Sequence, residues 1–241
     1  MQYIPIKTRV MQPPQDDLYS LLNEHLADMH ENDIVLITSK IVSIHQGRCV
    51  SKDDAPDKKS LVLEESEYVT EGNPKYATSP LAIKYNAMFY AAGIDESNSN
   101  GYYTLLPSAP YDSAKEIWEY LTVRKKIKNL GVIITDSHSL PLRRGCIGIS
   151  IGLWGFRPVK SHVGKPDLFG RKMELSHTNL ADAIVAGASV VCGESNESTP
   201  IVIVRNAPNI EFCNCDVSAE ILIPLEDDMY LPLLKVFHPR T

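Results

Sequence analysis

The uninterrupted apolar runs in this chain are at most six residues long, and this limits the folds that it can adopt. Ile34 to Thr38 and Ile201 to Val204 are two of these runs, and turn-forming residues precede them. A helix that spans a membrane needs about 20 consecutive apolar residues. The runs therefore predict short buried strands in a soluble globular fold, with Leu130 to Thr135 as a further strand.

Helical periodicity separates the predicted strands. Leucines spaced three and four residues apart predict an amphipathic helix from Asp16 to Met29, and a similar pattern predicts one from Asp112 to about Lys128. The stretch from Leu180 to Val191 has an apolar face of unusually small residues, which predicts a helix that packs closely against its neighbours and ends at Gly193.

Strands and helices alternate irregularly along the chain, and no period of 20–50 residues is visible. No pair of adjacent strands is joined by a helix in a repeating register, so we predict an α+β fold with mixed or antiparallel sheets and packed helices. A length of 241 residues fits one domain over 1–241 or two interleaved subdomains.

The five cysteines are odd in number and irregularly spaced, which favours reduced thiols over a disulfide framework. Cys213 and Cys215 form the only close pair. No second pair at zinc-ligand spacing accompanies them, so buried thiols are favoured over a metal clip. The N-terminus lacks a basic segment followed by an apolar stretch, which predicts a cytoplasmic location.

Charge and motifs exclude several classes of function. The net charge of −6 argues against nonspecific nucleic-acid binding, which needs a basic surface. The chain has no phosphate-binding P-loop motif, no dinucleotide fingerprint, no G-x-S-x-G elbow and no H-E-x-x-H zinc motif. Any nucleotide or metal chemistry must therefore use a different arrangement of residues.

Basic residues concentrate between Arg124 and Lys172, where eleven Lys and Arg side chains stand against two acids. The first four, up to Lys128, are typical of the solvated C-terminal end of a helix. The others are candidates for binding anions because they lie among Gly and Pro, where loops present side chains to ligands. These candidates are Arg143, Arg144, Arg157, Lys160, Lys165 and Arg171.

Three polar segments carry oxygen ligands: Asp95 to Gly101, Asp136 with Ser137 after a predicted strand, and Glu194 to Thr199 after a predicted helix. Each acid taken singly is equally consistent with a turn or capping role. Together they predict a site for Mg²⁺ or Mn²⁺, which need only a few carboxylates when substrate phosphates complete the coordination. Lys40 is either a surface lysine or a partner for a phosphate.

A series of short fragments occurs in one order along most of the chain. The first half carries Asp33-Ile34-Val35, Thr38 to Ser43, Ala92 to Asp95 with Ser97 and Asn98, Leu106-Pro107 and Gly131 to Ser137. The second half carries Pro141, Arg143 and Gly145, Ile151-Gly152, Gly164, Asp167, Gly170 and Arg171, Ala181-Asp182 and Gly193-Glu194. Over about residues 10–206 this order resembles the coenzyme F420-0:gamma-glutamyl ligase family.

The resemblance implies an α+β fold in an intertwined homodimer. It also implies a gamma-glutamyl ligase that depends on GTP and on Mg²⁺ or Mn²⁺. Such an enzyme joins L-glutamate through an amide bond to a carboxylate acceptor, coenzyme F420-0, by way of an acyl phosphate. The implied partners are these small molecules and a second copy of the chain, with no nucleic acid and no membrane.

The resemblance also assigns roles to individual residues. It implies that Asp95 and Asp136 hold one cation and that Ser137 and Glu194 hold a second. The implied nucleotide contacts are Ser39, Lys40, Asn98, Cys192, Gly193, Glu194, Ser195, Asn196, Glu197, Ser198 and Thr199, with Arg9 to Gln12 near the base. Asp136 is the first predicted catalytic residue, and Arg143 is the second, since its charge suits the anionic acceptor or the incoming glutamate.

Two departures from the family pattern leave alternatives open. The chain reads Ser139-Leu140-Pro141-Leu142-Arg143 where the family often has Gly-Arg-Pro-Trp-Arg, and Ile44 stands where a nucleotide-contacting Lys is frequent. A folate or dihydropteroate acceptor is therefore an alternative to coenzyme F420-0. A nucleotide- or metal-binding homologue without catalysis and a plain interaction domain are further alternatives. The sequence leaves open how many glutamates are added, which of Mn²⁺ and Mg²⁺ is preferred, and which of GTP and ATP is used. It also leaves open the role of residues 207–241.

Overall fold

The computed structural model describes residues 1–55, 57–71, 75 and 79–240. Within these residues the strands are β1 (Gln2–Ile6), β2 (Ile34–Thr38), β3 (Cys49–Ser51), β4 (Tyr68–Thr70), β5 (Leu81–Lys84), β6 (Ala87–Tyr90), β7 (Tyr102–Thr104), β8 (Gly131–Ser139), β9 (Cys146–Trp154), β10 (Val159–Ser161), β11 (His177–Asn179), β12 (Ile201–Arg205) and β13 (His238–Pro239). The α-helices are α1 (Leu18–His25), α2 (Ser39–His45), α3 (Lys58–Glu65), α4 (Pro110–Lys125), α5 (Leu180–Cys192), α6 (Ser218–Ile221) and α7 (Leu231–Leu234). Short 3-10 turns cover Ala91–Gly93 and Leu225–Asp227.

A five-stranded sheet with the strand order β1-β12-β2-β8-β9 organises the chain. β2 and β8 run parallel, and the other neighbouring pairs are antiparallel. The apolar runs that we predicted as strands form the three inner strands β12, β2 and β8. This mixed sheet with packed helices confirms the predicted α+β class.

Both faces of the central sheet are buried, which explains why its inner strands are continuously apolar. In β2, Val35 and Ile37 face a cluster that includes residues of α1, α2 and α4. Ile34 and Leu36 face a second cluster that includes residues of α5. The carboxyl ends of the parallel strands β2 and β8 therefore emerge between two helical layers.

A second antiparallel sheet, with the order β13-β4-β5-β6, contacts the central sheet where β6 approaches β8. Helix α3 packs on it through Leu61 and Val62, which share a cluster with Ala82 and Ala91. The two-stranded sheets β3-β7 and β10-β11 complete the described strands. The chain leaves β6 through the 3-10 turn that precedes Asp95, so this smaller sheet brings the Asp95 loop to the central sheet.

The long helices confirm the predicted periodicity, with small shifts at their ends. Helix α4 begins at Pro110 and not at Asp112, because proline suits the first turn of a helix. Helix α5 ends at Cys192 with Gly193 as its cap, as predicted. Its close packing is also confirmed, since a Cβ placed on Gly187 would lie 2.2 Å from the Tyr3 hydroxyl.

One predicted boundary near the polar segments is wrong. β8 continues to Ser139, so Asp136 and Ser137 lie within a strand and not after it. The strand continues because its backbone pairs with β9, and this pairing needs no apolar side chains. Helix α2, which begins at Ser39, was not predicted, because the buried polar residues Ser39 and Ser43 interrupt its apolar pattern.

The prediction of reduced thiols is wrong for Cys213 and Cys215, which form a disulfide. One intervening residue, Asn214, brings their Cα atoms to 5.6 Å, within the range that a disulfide requires. The remaining cysteines, Cys49, Cys146 and Cys192, are free thiols, as predicted.

None of the helices in the described ranges has the length and apolar character needed to cross a membrane. The predicted cytoplasmic location and the prediction of one domain over 1–241 stay predictions.

Candidate active site

A cavity of about 380 Å³ lies where the parallel strands β2 and β8 end. Its walls come from the junction of β2 with α2, the loop that begins at Asp95, the last turn of α5 with the loop that follows it, and the segment Thr8 to Met11. A volume of this size suits a small ligand. Ligands of open α/β sheets bind at the carboxyl ends of the strands, which is the position of this cavity.

Ser39 and Asp136 meet at the carboxyl ends of the two parallel strands. Thr38 pairs with Thr135, so the residues that follow them lie side by side. Ser39 Oγ donates a hydrogen bond to Asp136 Oδ2 at 3.1 Å, and the Ser137 N–H donates to Asp136 Oδ1 at 2.7 Å. The pairing of β8 with β9 shifts between Ile134 and Thr135, where Ile151 of β9 is the extra residue, and bulges of this kind are common next to functional sites.

A strained turn precedes Asp95 and positions it at the cavity. Ala91 and Ala92 both have φ of +53°, and Gly93 has φ of +73°. Left-handed backbone is unfavourable for alanine, and strain of this kind clusters at functional sites. A Cβ on Gly93 would lie 2.8 Å from the Leu106 side chain, so only glycine fits there.

Lys40 ties α2 to the Asp95 loop. Its Nζ lies 2.5 Å from Asp95 Oδ2 and donates to the Ser97 carbonyl oxygen at 2.6 Å. The Ser97 N–H donates to Asp95 Oδ1 at 2.7 Å, which closes a tight turn. The Lys40 side chain is 23% exposed, so this ion pair is partly shielded from solvent. The role of Lys40 as a partner for a phosphate stays a prediction.

The loop after α5 forms another wall and is hydrogen-bonded at its base and its tip. Cys192 Sγ donates to the Thr199 carbonyl oxygen at 3.0 Å, and Thr199 Oγ1 donates to the Cys192 carbonyl oxygen at 2.5 Å. The Ser195 N–H donates to Glu197 Oε2 at 2.8 Å. Asn98 Nδ2 donates to the Ser195 carbonyl oxygen at 2.7 Å, so this loop is joined directly to the Asp95 loop.

The N-terminal segment forms the remaining wall. The Thr8 N–H donates to the Ser198 carbonyl oxygen at 2.9 Å, which attaches this segment to the loop after α5. Arg9 donates two hydrogen bonds to Asp16, at 2.7 and 3.0 Å, and this contact lowers the pKa of Asp16 to about 2. The segment is therefore held in place by a bidentate ion pair next to the cavity.

Carboxylates that line the cavity influence one another. Burial raises the pKa of Asp136 to about 7, and the charge of Asp95 adds to this shift. Burial also raises the pKa of Glu194, again with a contribution from Asp95. Burial acts on Asp95 in the same direction, but the hydrogen bond and charge of Lys40 outweigh it, so the pKa of Asp95 lies below its usual value. Several negative charges thus compete in a small volume, a condition that a bound cation relieves.

The donor set suits a hard divalent cation. Asp95, Asp136 and Glu194 supply carboxylates, and Ser137 lies close enough to Glu194 to lower its pKa by a side-chain hydrogen bond. In the part of the chain that the structure describes, no three His, Cys, Asp or Glu side chains close around one point as a complete cage. Mg²⁺ needs no such cage, since it binds through one or two carboxylates with waters and substrate phosphates.

The structure brings almost all predicted site residues into this one cavity. The predicted residues that line it are Ser39, Lys40, Asp95, Asn98, Asp136, Ser137, Cys192, Gly193, Glu194, Ser195, Asn196, Glu197, Ser198 and Thr199. Arg9 and Met11 also line it, but Gln12 does not. Arg143 is exposed in the turn between β8 and β9 and does not line the cavity, so its role stays a prediction.

The basic residues between positions 143 and 171 do not line the cavity. Arg157 forms ion pairs with Glu211 and Glu220, and Lys160 donates a hydrogen bond to Asn209 at 2.5 Å. The candidate anion-binding residues are therefore not part of this cavity, and Arg157 and Lys160 have partners within the chain. These basic residues are close together in sequence, but they do not come together in the cavity.

Sequence reasoning missed several cavity residues. Ser97 supplies the carbonyl oxygen that accepts from Lys40, and Thr8 attaches the N-terminal wall. The spacing of Asp95 and Ser97 is typical of a turn in which an Asp side chain accepts from the backbone two residues later, and this signal points to Ser97. The sequence carries no comparable signal for Thr8.

Comparisons with known proteins place the chain among ligases. A family model described as F420-0:Gamma-glutamyl ligase matches residues 5–206, and the chain belongs to this family. A coenzyme F420:L-glutamate ligase of Methanococcus maripaludis is 32% identical over 223 residues, covering 84% of this chain and 86% of the relative. The ligase of the same description from Methanopyrus kandleri is 31% identical over 231 residues, covering 86% and 87%. That of Methanothermobacter thermautotrophicus is 31% identical over 208 residues, covering 79% and 81%.

Proposed function

We propose that this protein is a ligase that forms an amide bond between L-glutamate and a carboxylate acceptor, using GTP and Mg²⁺ or Mn²⁺. The observation that carries the proposal is the cavity in which Asp95, Asp136 and Glu194 come from three segments and share the charge of Lys40. Family membership supports the reaction class. The chemistry of this donor set supports the metal, and the resemblance to the family supports GTP.

The reaction needs activation because an acceptor carboxylate is a poor electrophile. In the first step a carboxylate oxygen attacks the γ-phosphorus of GTP, the bond from this phosphorus to the bridging oxygen breaks, and GDP leaves. In the second step the glutamate amine attacks the acyl carbon, loses a proton to solvent and expels phosphate. The protein contributes mainly by positioning the reactants and neutralising their charge.

Each cavity residue has a role in this proposal. Asp95 and Asp136 hold one cation, and Ser137 with Glu194 holds a second. The cations supply charge neutralisation at the phosphates when they are bound. Lys40 places its ammonium on a phosphate, and its contact with Asp95 orients it.

The remaining predicted residues surround this centre. Ser39 orients the Asp136 carboxylate through its hydrogen bond. Asn98 and the loop 192–199 form the nucleotide wall, and Arg9 to Met11 form the wall near the base. Arg143 is the proposed contact for the anionic acceptor or for L-glutamate.

Coenzyme F420-0 is the acceptor that we propose, because the relatives are described as coenzyme F420:L-glutamate ligases. The second candidate is a folate or dihydropteroate. The observation that favours it is the departure of residues 139–143 from the usual family sequence, with Leu142 fully exposed where the family often has Trp. The same chemistry serves both acceptors, so the test must compare them directly.

We also propose that the protein works as a homodimer. Exposed apolar side chains on the loops that extend from the protomer support this. Leu168 and Phe169, between β10 and β11, are 98% and 95% exposed. Large exposed apolar side chains of this kind mark protein contact surfaces.

The test is a product assay with two acceptors. The purified protein is incubated with GTP, L-glutamate and Mn²⁺, with coenzyme F420-0 in one reaction and dihydropteroate in another. A glutamate-sized mass gain on one acceptor, with one GDP released for each amide formed, is the expected result. GTP binding with no mass gain on either acceptor contradicts the ligase proposal and favours the homologue without catalysis. Omitting L-glutamate is the control.

A further inference from the structure

The loop 193–198 is closed at its base by two reciprocal hydrogen bonds, which we call the Cys192–Thr199 clasp. The Cys192 thiol donates to the Thr199 carbonyl oxygen at 3.0 Å, and the Thr199 hydroxyl donates to the Cys192 carbonyl oxygen at 2.5 Å. Each side chain therefore bonds to the backbone of the other residue.

The clasp uses the hydrogen-bond donors of both side chains. A thiol and a hydroxyl each carry a single hydrogen, and in both residues it points to a partner within the chain. Both residues are half-buried. Cys192 and Thr199 line the cavity, but neither has a side-chain donor left for a bound molecule.

The clasp also provides a hydrogen-bond partner for a carbonyl group at the C-terminal end of α5. The last four carbonyl groups of an α-helix lack partners within the helix, and Cys192 is the final residue of α5. The Thr199 hydroxyl satisfies its carbonyl group. Because Thr199 lies two residues before β12, the clasp fixes the end of α5 against the start of a strand in the central sheet.

The loop between the two residues is tightly folded. Gly193 has φ of +77°, and a Cβ placed there would lie 2.3 Å from Glu197 Cδ. The loop exposes Glu194 to Glu197, including two of the carboxylates that line the cavity. Its shape depends on how its ends are held, together with the hydrogen bonds from Asn98 to Ser195 and from Thr8 to Ser198.

We propose that Cys192 and Thr199 are positioning residues that hold loop 193–198 in the shape of the cavity wall and do not contact the nucleotide with their side chains. This replaces direct nucleotide contact for the two residues. The role of the clasp in GTP binding rests on the proposed function, whereas its role in holding the loop does not. Loss of the clasp loosens the loop and weakens nucleotide binding without changing the chemical step.

The first test is hydrogen exchange in the protein without nucleotide, followed by mass spectrometry. Thr199→Val keeps the shape of the side chain but removes the donor, whereas Thr199→Ser keeps the donor. Thr122→Val is the matched control, because the Thr122 hydroxyl donates to the Trp118 carbonyl oxygen at 2.8 Å in α4 and does not line the cavity. We expect the amides of 193–198 to exchange about tenfold faster in Thr199→Val alone.

The second test is calorimetric titration of the same variants with GTP and Mg²⁺. The Kd and the KM for GTP are expected to rise about tenfold in Thr199→Val, with kcat within about twofold of wild type and with recovery in Thr199→Ser. If the amides of 193–198 exchange at the wild-type rate in Thr199→Val, the clasp does not hold the loop and the proposal is overturned. Faster exchange with an unchanged Kd overturns its role in nucleotide binding, as does a Thr199→Ser variant that fails like Thr199→Val.

Two further outcomes keep the proposals separate. If wild type does not bind GTP, the proposed function fails while hydrogen exchange still decides on the clasp. If Thr199→Val does not fold, Cys192→Ala removes the other donor of the clasp and takes its place in both measurements. A Cys192→Ala variant with wild-type exchange in 193–198 then overturns the clasp.

Discussion

The loop that begins at Asp95 and the loop at residues 140–145 each carry a residue that the sequence analysis assigned to the site, but they have different surroundings in the fold. The first is hydrogen-bonded to α2 through Lys40 and to the loop after α5 through Asn98. The second joins β8 to β9, is exposed along its length and does not line the cavity. A polar loop therefore becomes part of this site through partners that are distant in sequence, and polarity alone does not reveal them.

The largest expected effect comes from Asp136→Asn, which removes one of the carboxylates that line the cavity. We expect ligase activity to fall about a thousandfold, or about 4 kcal/mol of transition-state stabilisation. Burial already disfavours the charged form of Asp136, so its neutral replacement should keep the melting temperature close to that of wild type. The product assay and thermal unfolding are measured on the same sample. Activity near the wild-type level removes Asp136 from the mechanism.

The next effect is expected for Lys40→Gln. Loss of the ammonium removes a charged hydrogen bond to phosphate, worth about 2 kcal/mol, so the Kd for GTP should rise about thirtyfold. Lys52→Gln is the matched control. Lys52 pairs with Glu96 at 2.9 Å in the same loop but does not line the cavity, and its replacement should leave the Kd within twofold. Equal losses in the two variants would contradict a specific role for Lys40.

Arg143→Ala tests the exposed loop and should have a smaller effect. We expect the KM for the acceptor or for L-glutamate to rise about tenfold, while the Kd for GTP stays within twofold because Arg143 does not line the cavity. The free energy of unfolding should change by no more than about 0.5 kcal/mol, as is usual for an exposed residue. Arg144→Ala is the control. Weaker GTP binding in Arg143→Ala would show that the two loops share one site.

The smallest expected effect concerns the ion pair beside the cavity and depends on pH. The pKa of Asp16 falls from 3.8 to about 2 because Arg9 donates two hydrogen bonds to it. A lowered pKa stabilises the fold above the unfolded-state value, and this contribution disappears as pH falls from about 4 towards 2. Asp16→Asn should therefore be less stable than wild type at neutral pH, by less than about 1 kcal/mol for this exposed pair.

Urea unfolding of both proteins between pH 6 and pH 2 measures this difference. The gap between wild type and Asp16→Asn should narrow below pH 4. A gap that is constant over the whole range would show that the carboxylate does not stabilise the N-terminal wall through its charge.

The sequence predicted the central strands well because their burial on both faces leaves a continuous apolar pattern. The runs at Ile34–Thr38 and Ile201–Arg205 are strands in the structure. The acids of the site could be predicted because Asp136 follows one such strand run and Asp95 and Glu194 lie in polar loops. Their ordered fragments resemble one family, which the family match over residues 5–206 bears out.

The parts that sequence could not predict depend on contacts between distant segments. β8 extends to Ser139 because β9 pairs with it. The residues in this extension are polar, so their sequence pattern is typical of a loop. Ser39 and Ser43 are buried in α2, so their polarity hides the helix. The Cys192–Thr199 clasp requires a helix end and a strand start to meet, and nothing in either residue alone indicates this contact.

We propose that carboxylates from three segments form one cation and nucleotide site. The most direct measurement is a titration with Mn²⁺ in the presence of GTP, followed by electron paramagnetic resonance, for wild type, Asp136→Asn and Arg143→Ala. We predict tight Mn²⁺ binding to wild type and to Arg143→Ala, with binding at least about tenfold weaker for Asp136→Asn. Equal binding to all three proteins would contradict the claim.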